Sequence, residues 1–259
     1  MKNNKEKQEI ICIYKPIGFT PLQAIKKFKQ KYKIYKKCSI SHAGKLDPLA
    51  EGILLLIINP DRFILKKLMK LDKEYKAEIL IGFSTDSFDI QGIAKKENEI
   101  ILEEEKLKEI IDSFKGKYEQ TIPVFSGKKI NGRPLYYYAR KNILDKIKIP
   151  KKEVKIKEIE LINIKKISSE EILKEIIKKI KLLEGDFRQK EIIKNWKKIL
   201  NEKKEDYYLI TVIIKCSSGT YIRSIANDIG KKLNSGAILY NLIRTRLGKY
   251  SLKDCKKIS

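Results

Sequence analysis

The 259-residue sequence carries 58 Lys+Arg against 33 Asp+Glu, a formal net charge of +25, with 42% hydrophobic residues and one histidine. That hydrophobic fraction supports a buried core and excludes disorder throughout, while no apolar run reaches the ~18 residues of a membrane helix. Cys12, Cys38, Cys216 and Cys255 lie far apart with no Cys-x-x-Cys pair, which argues against a zinc knuckle and for reduced thiols in a cytoplasmic setting.

The N-terminal MKNNKEKQEI has lysines but no apolar segment behind them, so it does not read as a secretory signal. Residues 10–14 read as a short strand closed by Lys15-Pro16-Ile17-Gly18, a turn signal. Leu22, Ile25 and Phe28 among lysines predict a surface helix from Pro21 toward Tyr35, starting after Thr20. Residues 41–52 read as a polar loop ahead of the apolar run 53–58. Residues 75–83 alternate as a strand, 84–92 read as a loop, and 102–114 have helical periodicity.

A strand-like pattern returns at 153–164. Ser168-Ser169-Glu170-Glu171 is a capping-box signal before an amphipathic helix carrying Ile172, Ile176, Ile177 and Ile180, and a second helix carries Ile192, Ile193, Trp196, Ile199 and Leu200. Residues 207–216 form the strongest strand pattern, and SSGTYIRSIANDIG turns from it into a helix. Strands and helices mix without a βαβ rhythm. The expected class is therefore α+β with a mostly antiparallel mixed sheet flanked by helices, and a Lys-rich helical insertion over 166–206.

Of the basic residues 51 are Lys and only 7 are Arg, beside 45 Ile. A/T-rich codons favour Lys and Ile, so charge alone does not distinguish a codon-driven surface from one made for nucleic acid. The arginines say more. Arg133, Arg140, Arg223, Arg244 and Arg246 fall in two short stretches rich in Gly, Thr and Tyr, and a planar guanidinium fork suits phosphate or carboxylate where lysine is the default. The densest polar constellation is His42-Ala43-Gly44-Lys45-Leu46-Asp47-Pro48, a glycine-containing loop before a buried strand, where catalytic groups tend to sit. On spacing alone, Asp47-Pro48 reads as a turn and His42 as a packing or surface histidine.

Taken in order, the motifs resemble the TruB-type family of tRNA pseudouridine synthases over most of the chain. Lys15-Pro16-Ile17-Gly18-Phe19-Thr20 is similar to its K-P-x-G-x-T, and residues 42–48 to its H-x-G-T-L-D-P. Lys73-Glu74-Tyr75 resembles its K-x-Y strand, followed by Gly82-Phe83-Ser84-Thr85-Asp86 and Asp89-Ile90-Gln91-Gly92. Pro123-Val124-Phe125-Ser126 with Lys128, Lys129, Gly132, Arg133 and Tyr136 to Arg140 resembles its P-x-[YF]-S-A-x-K segment. Ser218 to Arg223 matches its G-T-Y-I-R helix start, and Leu242-Ile243-Arg244-Thr245 its closing L-R-R-T.

The resemblance implies a pseudouridine-synthase domain over 1–252 that isomerises uridine to pseudouridine at position 55, in the T-loop of tRNA, on a flipped-out base. It implies that Asp47 attacks the nucleoside at C1′ or C6, that Arg223 pairs with it, and that Tyr75 stacks on the base and takes up the C5 proton. His42 is implied to fill the gap left in the RNA, and Tyr221 and Leu242 to line the pocket, with backbone at Leu242 and Ile243 reading the uracil edge. Lys15, Lys128, Lys129, Arg133 and Arg140 are implied phosphate contacts, with 121–141 as an RNA-clamping loop. The reaction has no redox change or net hydrolysis, so no cofactor or metal is expected.

A nucleophilic Asp, with a reference pKa of ~3.9, needs a cation beside it once a base pocket desolvates it. Expected partners are the tRNA T-arm and no membrane, with a monomer in the cytoplasm or an organelle of an A/T-rich genome. A non-catalytic tRNA-folding helper on the same scaffold is the alternative reading, and a guide-dependent RNA particle a third. Several positions depart from the family pattern. Lys45 stands where Thr is usual, Gly127 where Ala is usual, and Ile122 where a second Pro is common. Residues 253–259 read as a short tail without the C-terminal RNA-binding domain of many relatives. The 166–206 insertion is expected to supply RNA contact, so that deleting it weakens binding and flattens its salt dependence.

Overall fold

The computed structural model describes residues 8–258, so the lysine-bearing start of the chain read above lies outside them. In chain order, β1 (Glu9–Lys15) leads through Thr20 into α1 (Pro21–Lys31), then come β2 (Ile40–Ala43), β3 (Glu51–Ile58), α2 (Arg62–Met69) and β4 (Lys73–Ile81). A hairpin of β5 (Phe83–Thr85) and β6 (Ala94–Lys96) precedes α3 (Glu104–Asp112) and β7 (Gly116–Thr121). The small hairpin β8 (Lys129–Ile130) and β9 (Arg133–Pro134) runs into α4 (Leu135–Arg140). The long β10 (Lys151–Ser168) is joined by α5 (Ser169–Lys181) and α6 (Gln189–Glu202) to β11 (Asp206–Cys216). The chain then forms α7 (Ile222–Leu233), β12 (Ala237–Leu247), β13 (Tyr250–Ser251) and β14 (Lys256–Lys257).

The main sheet runs β14-β1-β3-β12-β4-β11-β10-β7, with β2 added on β3 and β13 on β12. Pairings are antiparallel except β1 with β14 and β12 with β3. This is the mixed, mostly antiparallel α+β sheet expected. Alternation along a strand sends neighbouring side chains to opposite faces. In β4, Ala77, Ile79 and Ile81 therefore pack against α3 and α7, while Leu80 faces the other way, into a core with α5 and α6. β3 is buried on both faces for the same reason: Leu54, Leu56 and Ile58 meet α1, whereas Ile53, Leu55 and Ile57 meet Leu68 of α2. A two-sided strand reads as a continuous apolar run.

The capping box at Ser168 forms as expected, with the hydroxyl accepting from Glu171 N and the Glu171 side chain returning to the Ser168 backbone. Thr20 and Gln23 make the same reciprocal cap at the head of α1.

Several segments differ from the sequence reading. His42, placed in a loop, lies on β2 opposite Leu56, because residues 40–43 find a free edge on β3. The helix expected toward Tyr35 ends at Lys31 and continues as a 3-10 turn over Lys33–Tyr35. Residues 121–141 hold the β8–β9 hairpin and α4 rather than a plain loop. Residues 253–258, read as a tail, join the domain: β14 pairs with β1 and Ile258 is buried in the α1 core. Among the described residues no helix is long and apolar enough to cross a membrane.

Candidate active site

Asp47 sits in the loop between β2 and β3, and buried cations hold that loop from both sides. Gly44 takes a positive φ of 76°, turning the chain out of β2. The fully buried Arg244 of β12 donates through Nη2 to Gly44 O (3.3 Å), through Nη1 to Lys45 O (3.2 Å) and through Nε to Ile53 O (2.8 Å). Gly52 is required beside it, because a Cβ there would lie 2.4 Å from Arg244 O. On the other flank, Pro48 O accepts from Gly18 N (2.9 Å) and from Lys15 Nζ (3.3 Å).

Lys15 also donates to Pro16 O and Phe19 O and is 0% exposed. This corrects its reading as a phosphate contact: its three N–H groups are consumed by carbonyls in the interior. Burial pulls its pKa down to about 7, against the opposing charge of Asp47.

The Arg223 guanidinium, 4% exposed, lies at the start of α7 with Nε 2.9 Å from Asp47 Oδ2 and 3.6 Å from Asp89 Oδ2. The nearer contact is an ion pair lying off the hydrogen-bond axis. Nη1 donates to Ser87 O (3.0 Å) and Nη2 to Phe125 O (3.4 Å), so one side chain ties together the Asp47 loop, the Asp89 loop and the 121–141 segment. Asp89 is buried and accepts from Ser87 Oγ and Gln91 N. Burial pushes its carboxyl above the usual range even with Arg223 alongside. Asp47 differs in keeping 44% of its side chain exposed, which leaves it open to a substrate.

Asp47 and Arg223 form the wall between two cavities. One, of about 290 Å³, is lined by Asp47, Tyr75, Lys128, Tyr221, Arg223 and Leu242 among others. Tyr75 stands on β4, and its burial raises the phenol pKa, keeping it protonated. Burial acts likewise on Tyr221, whose backbone N donates to Gln120 Oε1 (2.8 Å). The second cavity, about 520 Å³, is walled by Phe125, Tyr136, Arg140, Phe187 and Arg188.

Six of the site residues read from the sequence thus meet at one cavity, and Arg140 reaches the second, where it pairs with Asp186 (3.5 Å). His42 and Arg133 line neither. His42 Nδ1 is buried without a hydrogen-bond partner; burial, with Lys45 and Arg244 nearby, holds the imidazole pKa below its ordinary value. Arg133 lies over the Tyr137 ring at 4.5 Å on the exposed hairpin. The sequence reading left Arg244, Asp89 and Arg188 without roles. Arg244 carried a signal, as one of the arginines clustered in stretches rich in Gly, Thr and Tyr. Arg188 carried none, since its contacts with Asp86 (2.8 Å) and the Phe125 ring (4.3 Å) join residues far apart in sequence.

Comparison with known proteins identifies the family and the fold. A family model described as TruB family pseudouridylate synthase (N terminal domain) matches residues 29–177. The tRNA pseudouridine synthase B of Protochlamydia amoebophila is 33% identical over 253 residues, 95% of this chain and 76% of that protein. The protein of that name from Ureaplasma urealyticum is 35% identical, covering 97% of this chain and 91% of its own. Among solved structures, a Cbf5-Nop10-Gar1 complex superposes with a TM-score of 0.58 at 20% identity. An H/ACA RNP bound to a substrate RNA containing 2'-deoxyuridine superposes with a TM-score of 0.56 at 18% identity. Both cover 96% of this chain, which spans about half the length of those chains, and the likeness is one of fold.

Proposed function

This chain belongs to the TruB family of pseudouridylate synthases, which makes it an isomerase of the tRNA pseudouridine synthase class, and from that premise we propose that Asp47 is the nucleophile acting on a T-loop uridine of tRNA. The observation that carries the reading is the Asp47–Arg223 pair at 2.9 Å, with the arginine buried and the carboxylate exposed to a cavity of about 290 Å³. A carboxylate entering a desolvated base pocket needs a fixed counter-charge, and Arg223 supplies one without moving. Arg244 and Lys15 hold the backbone on either side of Asp47, so the carboxylate is pre-positioned.

The uridine would enter this cavity over Tyr75, with Tyr221 and Leu242 flanking the base. Asp47 Oδ attacks the nucleoside at C1′ or C6, the C1′–N1 bond breaks, and the uracil turns. C5 then bonds to C1′ and loses its hydrogen, and Asp47 is released. A protonated Tyr75 lies at the floor of the cavity, where its phenol oxygen can exchange the C5 proton only after giving up its own. The nucleotide must leave its stack to reach Asp47, and Lys128 at the rim is placed to hold its backbone.

Tritium release from tRNA labelled at uridine C5 tests the reading. The wild type should release label, and Asp47→Asn should reduce release by at least a factor of roughly 10⁴, as expected for loss of a covalent nucleophile. No release by the wild type, with tRNA binding intact, would replace the proposal with a binding function on the same scaffold.

A further inference from the structure

Lys45 and Gly127, separate departures from the family pattern in sequence, meet in space. A Cβ built on Gly127 would lie 2.6 Å from Lys45 Nζ and 3.8 and 3.9 Å from its Cε and Cδ, and these are the atoms nearest to it. Gly127 is not among the residues with positive φ, so its backbone conformation does not call for glycine. Space for the lysine stem is what glycine supplies. The Lys45 carbonyl is pinned by Arg244, which anchors the base of the side chain and leaves the stem free to move.

Among the described residues no carboxylate pairs with the Lys45 ammonium, since Arg223 engages both Asp47 and Asp89. Lys45, Gly127 and Lys128 line the same cavity as Asp47. An exposed ammonium without a counter-ion, two residues from the reactive carboxylate, sits where an anionic strand must pass for its base to enter.

We propose that Lys45 contacts an RNA phosphate at the nucleotide entering the cavity, and that Gly127 sets the position of its ammonium; this rests on reading the cavity as the uridine site. The pair then acts as one unit joining the Asp47 loop to the 121–141 segment. A methyl at residue 127 displaces only the far end of a flexible side chain, so it moves the cation without disturbing the fold.

A double-mutant cycle on tRNA tests this. Lys45→Thr should raise Kd and KM roughly tenfold, affect kcat much less, and flatten the dependence of log Kd on log salt by about one unit. Gly127→Ala should unfold at the wild-type temperature and weaken binding in the same direction. In the Lys45→Thr background it should have no further effect, because its methyl then meets no lysine. An equal cost of Gly127→Ala in both backgrounds, or an unchanged salt slope in Lys45→Thr, would overturn the pair. Coupled, salt-dependent binding without tritium release by the wild type would overturn the uridine reading instead and leave the RNA contact standing.

Discussion

Asp47 owes its position to Lys15 and Arg244, and for Lys15 the residue type points the wrong way. A lysine is exposed by default, and Lys15 in a Lys-Pro-Ile-Gly turn reads as a surface cation. Folding instead buries it under Pro48 and gives its protons to three carbonyls. Burial has a thermodynamic signature. Its folded pKa, about 7, lies below the ordinary 10.5, so between those values the unfolded chain holds a proton that the native chain has released. Stability therefore rises with pH across that window, and the full cost of burying the charge is felt below it. Lys73 and Lys179, each lowered to about 8 by burial, act in the same direction. Urea unfolding from pH 7 to 9 should show increasing stability in the wild type and a shallower rise in Lys15→Met. Equal slopes would mean that Lys15 keeps its proton in the native state throughout this range, so that its burial does not lower its pKa.

At the scale of elements, α5 and α6 have more to do than carry lysines. Ile172, Ile176, Ile180, Ile192, Trp196 and Leu200 form a core with Leu80, Phe83, Tyr207 and Ile238 on one face of the sheet. Trp196 Nε1 donates to Ile90 O (3.2 Å) and Asn195 Oδ1 accepts from Ala94 N (2.7 Å), so α6 buttresses the loop that presents Asp89 to Arg223. Deleting 166–206, the test suggested by the sequence, would uncover this core and conflate folding with RNA contact. Trp196→Ala should cost roughly 3–5 kcal/mol, read as a lower urea midpoint with the slope unchanged. A cost under 1 kcal/mol would show that the helix pair is not part of the cooperative core. The turn between α5 and α6 also walls the second cavity through Phe187 and Arg188, so this insertion reaches, through its turn, a cavity that Asp47 also lines.

For the whole molecule, the net charge of +25 bears on how it meets a polyanion. Affinity for tRNA should fall roughly tenfold or more between 50 and 200 mM salt, as counterions released by even two or three phosphate contacts require. A flat titration would assign the basicity to codon usage alone. The motifs by themselves determined the family, and with it the α+β class, and they singled out Asp47, Tyr75 and Arg223, which the fold brings to one cavity, because a site draws on particular side chains in an order that sequence displays. Apolar periodicity located most helices and the strong strands, since burial of one face or both imposes its period on the chain. Tertiary structure alone decided the rest: that His42 belongs to an edge strand, that Lys15 is internal, that Arg244 spans the sheet to hold residues 44, 45 and 53, and that Lys45 lies against Gly127. These contacts join residues about 14 to 200 positions apart or depend on which of two faces a strand turns inward, and neither is encoded in local pattern.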